Sequence, residues 1–150
     1  MPDLISHIAT GYLFFPSFNH RAWFGLFVIG VCLPDLATRP FYILFPDLFW
    51  YVMPMHTPVG IVLLALGLSG LFVAGQRNQV FMLLMAGSAL HLFIDLWQKH
   101  VHGGYTIFFP FSWDIYEFGY IWPHETLYFL PLWLSIAVLI ILWQKRKNKI

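Results

Sequence analysis

Charge is what this sequence has least of. Only 10% of its 150 residues are charged, where a soluble domain carries about a quarter. The few charges nearly cancel, with 8 Lys+Arg against 7 Asp+Glu. A nucleic-acid binder needs a basic surface, and a disordered chain needs high charge with low hydrophobicity. Both are excluded. Cysteine is nearly absent as well. Cys32 stands alone, so there is no internal disulfide and no CxxC pair. No internal repeat or low-complexity tract is found. What fills the chain is apolar: 59% hydrophobic and 20% aromatic, with 16 Phe, 7 Trp and 7 Tyr. This composition excludes a soluble globule and points to a single integral membrane domain over residues 1–150.

The apolar runs predict an all-α, polytopic helical bundle of about five membrane helices plus a short interfacial helix. A membrane helix needs about 20 apolar residues. Thr57 to Gln76, Asn78 to Ile94 and Thr126 to Gln144 come close to that length, the second interrupted only by His91. Leu4 to Asn19 and Ala22 to Pro34 are shorter, and the second spans only with its polar flanks or by local thinning of the bilayer. Phe41 to Val52 is aromatic and Pro-bounded, which suits an interfacial segment. Met1-Pro2-Asp3 lacks a basic n-region and no small-residue cleavage site follows, so no signal peptide is expected. Gln98 to Glu125 reads as the one long loop.

The positive-inside rule places the tail Lys145, Arg146, Lys147 and Lys149 in the cytoplasm. Alternating the helices from there puts the N-terminus and loop 98–125 outside, with Arg21 and Arg77 inside. All seven acids then fall outside: Asp3, Asp35, Asp47, Asp95, Asp114, Glu117 and Glu125. Every His except His20 falls at or near the same face. That distribution predicts a polar site opening to the outer side of a plasma (inner) membrane.

Ionisable residues within membrane segments are functional hypotheses by default. His91 and Asp95 are spaced i,i+4 and share one helical face, with Gly87 and Ser88 continuing that face inward. An imidazole and a carboxylate one turn apart can bind one metal together. They can equally form a hydrogen bond that holds two helices. His7 lies one turn below Asp3, His56 opens the helix beginning at Thr57, and Asp35 closes the helix beginning at Ala22. Each alone reads as structural. Their expected convergence from separate helices favours a site, with His7, His56, His91 and Asp95 as metal ligands and Asp35 as ligand or general base. Zn²⁺ suits such donors best, with Mn²⁺ or Fe²⁺ as alternatives. Glu125 either caps the last helix or donates a proton to a leaving group. His100 and His102 read as exposed loop residues. Trp113, Tyr116 and Trp122 fit an interfacial aromatic belt. Gly103-Gly104 marks a turn or a close backbone approach.

The order Ser6-His7…Gly11, Gly30…Pro34-Asp35, His56-Thr57, Gly87…His91…Asp95 and Pro110-Phe111-Ser112 resembles the LexA-regulated, membrane-bound, predicted metal-dependent hydrolases of bacteria. The resemblance runs over nearly the whole chain. It implies a polytopic inner-membrane protein with a His/Asp metal site. Two departures remove polar groups that members often carry. Ala37 stands where a second acid follows Pro-Asp, and Tyr51-Val52 lie where a His-Arg pair is common. They weigh against a two-metal site.

The leading expectation is therefore a hydrolase acting on a lipid or lipid-linked ester or phosphoester, with a lipid amidase as a related form. Ser6, Ser88 and Ser112 are the available hydroxyls. The competing expectation is a non-catalytic membrane protein with a structural metal or a His–Asp packing network. A transporter would need ionisable groups through the full membrane depth, and the inner halves of the long helices are apolar. Glycines 60, 67, 70 and 75 permit close helix packing, but the sequence leaves the oligomeric state open.

Overall fold

The computed structural model describes residues 4–14, 21–100, 103–122 and 124–147. Asp3, His20 and His102 lie outside them. Six helices follow in order: α1 (Leu4–Phe14), α2 (Arg21–Leu44), the one-turn α3 (Phe49–Val52), α4 (Pro58–Gly70), α5 (Arg77–Trp97) and α6 (Thr126–Lys147). Short 3₁₀ turns at Pro46–Leu48 and Met53–His56 flank α3. The described residues form no strands, only two isolated bridges.

Among the described residues, two helices are long and apolar enough to cross a membrane, Ala22–Leu44 and Arg77–Trp97. A third span exists only if Pro46–His56 and Pro58–Gly70 count together across their 78° bend. The expectation of about five spans is thus corrected to two or three among the described residues. The reason is helix length. α1 has 11 residues and α4 has 13, about 16 and 20 Å at 1.5 Å per residue, against a hydrocarbon core of about 30 Å. Apolar sequence ran on where helix did not: the run expected to reach Gln76 is helical only to Gly70. α6 covers the apolar run 126–144 as helix, with several of its side chains outside the described set.

The second correction is to α2, which continues past Pro34 to Leu44 and carries Pro34 and Pro40 in its interior. Proline lacks an N–H, so Pro34 leaves the Gly30 carbonyl without its helical donor. Ser88 on α5 supplies one, donating from Oγ to Gly30 O at 2.8 Å. The approach that makes this bond is as close as backbones allow. A Cβ on Gly30 would lie 2.5 Å from Leu84 O, and one on Gly87 would lie 2.3 Å from Phe27 O. Glycine pairs that let membrane helices touch are the usual device where no hydrophobic drive separates helix from lipid. This crossing sets Asp35 and His91, each one turn further on, at the same level.

Around it, α1 lies against α2, α5 and α6, and α4 packs on α5. Ala65, Val80 and Leu84 form the buried apolar centre, with Trp23, Leu26, Leu68 and Phe72 against it. The burial pattern is compatible with a membrane setting. His7, Ser88, His91, Asp95 and Thr106 are fully buried, while Leu63, Leu66, Leu71 and Met82 are exposed. In water such exposed leucines would have no neighbour to hide against; in lipid they need none.

Candidate metal centre

His56 is placed by a turn. Thr57 caps α4, accepting from Gly60 N–H at 3.2 Å, and Pro58 opens the helix. Thr57 Oγ1 also donates back to Pro54 O at 2.7 Å. A Cβ at Gly60 would meet Pro54 O at 2.1 Å, so the chain folds this tightly only with glycine there. The result holds His56 at the corner, pointed at α5.

Asp95 is the hub. Its Oδ1 lies 3.0 Å from His7 Nε2 on α1. Its Oδ2 lies 2.9 Å from His56 Nε2 and 3.1 Å from His91 Nε2. The Tyr105 hydroxyl donates to the same Oδ2 at 2.8 Å. Asp35 Oδ1 is 3.7 Å from His91 Nε2, and its other oxygen pairs with Arg39 one turn along α2 at 2.6 Å. The rings stack as a group: His7 on His91 at 4.3 Å, His56 beside His91 at 5.0 Å, and Tyr105 flat on His56 at 4.5 Å.

His7, His91 and Asp95 form one set whose ligand atoms lie within 4.8 Å of one another, and Asp35, His56 and His91 form a second. Each is two imidazoles and one carboxylate, the donor set of a three-ligand catalytic zinc site or of a facial iron site. His91 belongs to both. It is fully buried; its Nδ1 has no hydrogen-bond partner, and its Nε2 lies 3.1 Å from Asp95 Oδ2 without hydrogen-bond geometry. An unsatisfied buried group forfeits about 1–3 kcal/mol. A cation held by Nε2 would remove that penalty at Nε2. Thr38 Oγ1 donates to Pro34 O at 2.9 Å, so it can only accept from His56 Nδ1, 3.4 Å away. With its proton on Nδ1, His56 would turn a lone pair at Nε2 toward Asp95 Oδ2, 2.9 Å away, which a metal held by both residues would offset; with its proton on Nε2, that contact is a hydrogen bond. The donor chemistry therefore fits a divalent ion.

The structure thus brings together five of the residues singled out from sequence: His7, Asp35, His56, His91 and Asp95. It does not bring Glu125 to them. That carboxylate accepts from Trp122 N–H at 2.7 Å, in the turn before α6. Two of the three serines are also accounted for. Ser88 serves the Gly30 carbonyl, and Ser112 donates to Asp114 at the surface at 2.6 Å.

Sequence reasoning missed the loop. Residues 103–122 fold back over the end of α5. Phe118 N–H donates to Leu96 O at 2.7 Å and Tyr120 N–H to Trp97 O at 3.0 Å, satisfying carbonyls that a helix end leaves open. Gly104, at φ +121°, lets Tyr105 pair with Tyr116, because a Cβ there would lie 2.3 Å from Tyr116 O. This drives Tyr105 into the centre, where burial and the Asp95 charge push its phenol well above the ordinary value. It remains a donor at any ordinary pH. The expectation that His100 is an exposed loop residue is overturned: its ring is paired with Glu117 and its side chain is 11% exposed. The only sequence signal for any of this was the Gly103-Gly104 pair.

Comparison of the chain with protein-family models, curated proteins and solved structures finds no match. The fold and site define a class: an all-helical protein with candidate membrane spans and buried His/Asp groups able to hold a metal ion.

Proposed function

We propose that the protein is a membrane-embedded, metal-dependent hydrolase acting on a lipid or lipid-linked ester or phosphoester. The observation that carries this reading is His91, buried among carboxylates and imidazoles, with Nε2 3.1 Å from Asp95 Oδ2 and neither nitrogen hydrogen-bonded. His91 with Asp95 and His7, or with Asp35 and His56, would hold the ion, zinc first and manganese or iron as alternatives. A divalent ion held there would supply Lewis acidity and lower the pKa of a water toward neutrality. Asp95 orients the three imidazoles through its two oxygens, and Tyr105 fixes Asp95 in turn. Whichever of Asp35 and Asp95 stays outside the ligand set can orient a water by accepting a hydrogen bond from it.

The lipid part of the reading rests on a groove. An apolar groove of about 460 Å³, lined by Met55, Val59, Leu63, Leu64, Leu68 and Phe109, runs along α4. It begins at the residue before His56, so a chain lying in it would bring its polar end toward the centre. The likeness of the motifs to the LexA-regulated membrane hydrolases supports the same reading, which takes the site to face the outer side of the inner membrane with the C-terminus in the cytoplasm. Glu125, remote from the hub, closes the turn before α6 in this account.

One observation favours a second reading. Asp95 receives contacts from His7, His56 and Tyr105, which would also make a purely structural network tying α1, the α4 corner and the loop to α5. Activity separates the two. Detergent-purified protein loaded with zinc or manganese should hydrolyse at least one member of a panel of phospholipids, acylglycerols and lipid-linked phosphates, and Asp95→Asn should abolish it. Metal binding without turnover across the panel would leave the structural network as the better account.

A further inference from the structure

We propose that His100, oriented by Glu117, is the general acid–base of this centre, a role that rests on the hydrolase reading above. Glu117 Oε2 sits 2.8 Å from the His100 backbone N–H and 3.2 Å from His100 Nδ1. An ionised carboxylate can only accept. Nδ1 therefore carries the ring proton, and Nε2 presents a lone pair. That Nε2 is buried and has no hydrogen-bond partner.

The position is as telling as the tautomer. The His100 ring meets the Tyr105 ring edge-on at 4.4 Å, and Tyr105 in turn stacks on His56 and bonds Asp95. The basic nitrogen is therefore on a ring one aromatic layer from the candidate ligands, and outside both ligand sets. Carboxylate, imidazole and an open nitrogen are the arrangement by which hydrolases orient a proton carrier. The loop makes room for it with glycine at two left-handed positions. At Gly104 a Cβ would come within 3.0 Å of Glu117 Cβ, and at Gly119 (φ +62°) within 3.1 Å of Glu117 Oε1. A pair that only pinned the loop would explain the two bonds to Glu117. It gives no reason to bury a bare Nε2.

Charges facing the ring come from several elements: Glu117 on the loop, Asp95 on α5 and His56 at the α4 corner. Burial outweighs the two carboxylates and lowers the His100 pKa below its ordinary value. The ring is neutral and able to accept at neutral pH. In the step we assign, water oxygen bonds to the scissile carbonyl carbon or phosphorus and its proton passes to Nε2. As the bond to the leaving oxygen breaks, Nε2–H returns that proton to it. Nothing is oxidised, and His100 ends as it began.

The test uses the full chain in detergent, as wild type, His100→Gln and Glu117→Gln. Imidazole ¹⁵N spectra of the wild type should show His100 with hydrogen on Nδ1 and a bare Nε2, and Glu117→Gln should disturb that tautomer. Metal content should be unchanged in both variants. On whichever lipid ester the wild type cleaves, kcat should fall at least about 100-fold in His100→Gln with KM little altered, and the acidic limb of the pH profile should move in Glu117→Gln. Hydrogen on Nε2 in the spectra overturns the proposal without any substrate. Full turnover by a correctly folded His100→Gln overturns it while leaving the hydrolase standing. A wild type that binds metal but cleaves nothing overturns both.

Discussion

The Tyr105 phenol donates to Asp95 Oδ2 at 2.8 Å while its ring lies on that of His56, 4.5 Å away and 6° from parallel. One loop side chain thus touches a candidate ligand carboxylate through its hydroxyl and a candidate ligand imidazole through its face. Partners of this kind fix ligand orientation, and their loss costs metal affinity about 10–100-fold. Tyr105→Phe keeps the ring stack and removes only the hydroxyl. It should weaken metal binding by about tenfold in competition with a chromophoric chelator. An affinity equal to wild type would separate Tyr105 from the centre.

His91 is shared by both candidate ligand sets, so its loss cannot be compensated. His7 and His56 each serve only one. His7→Ala and His56→Ala should therefore differ in metal affinity, with the variant that strikes the occupied set losing more than the other, whose lost positioning contact costs about 10–100-fold. Calorimetric titration of the two variants side by side reads the difference. Equal and negligible losses would mean that neither set is used.

The α2–α5 crossing should be sensitive to a single hydroxyl. Ser88→Ala leaves the Gly30 carbonyl buried with no donor, which costs about 1–3 kcal/mol. Gly87→Leu should do worse, since even a Cβ would sit 2.3 Å from Phe27 O. Thermal unfolding in detergent should rank wild type above Ser88→Ala, and Ser88→Ala above Gly87→Leu. A Ser88→Ala protein as stable as wild type would show that the proline gap is filled by another donor.

Acid should loosen the loop. The folded His100 has a pKa below its ordinary 6.5 because burial disfavours the charged ring. Below about pH 6.5 the opened loop takes up a proton that the closed one does not, so closure weakens as pH falls and levels off below the folded pKa. Hydrogen exchange at the Phe118 and Tyr120 amides, which bond the end of α5, should accelerate on acidification after correction for intrinsic rates. Protection that rises instead would place the charged ring in the closed state.

The site was largely legible in the sequence because the chain is so apolar. Against that background His7, Asp35, His56, His91 and Asp95 stand out, and the i,i+4 spacing of His91 and Asp95 fixes a shared face without tertiary knowledge. The length of α2 was not legible. Pro34 locally argues for a helix end, and what overrides it is Ser88, 58 positions beyond the carbonyl it serves. The number of spans was misjudged for a related reason: hydropathy reports which residues tolerate lipid, while α4 stops at Gly70, short of the end of its apolar run. The pairing of His100 with Glu117 had no periodicity to reveal it. It depends on left-handed glycines at Gly104 and Gly119, whose φ values a sequence does not show.

The central claim is that a metal belongs beside His91. The most direct measurement is the elemental content of detergent-purified wild type and His91→Ala after incubation with zinc, manganese or iron and removal of the excess. The account predicts a stoichiometric divalent ion in the wild type and its loss from a His91→Ala protein that keeps its helical content. A folded wild type that retains none of the three would contradict it, and the cluster around Asp95 would then be a packing network.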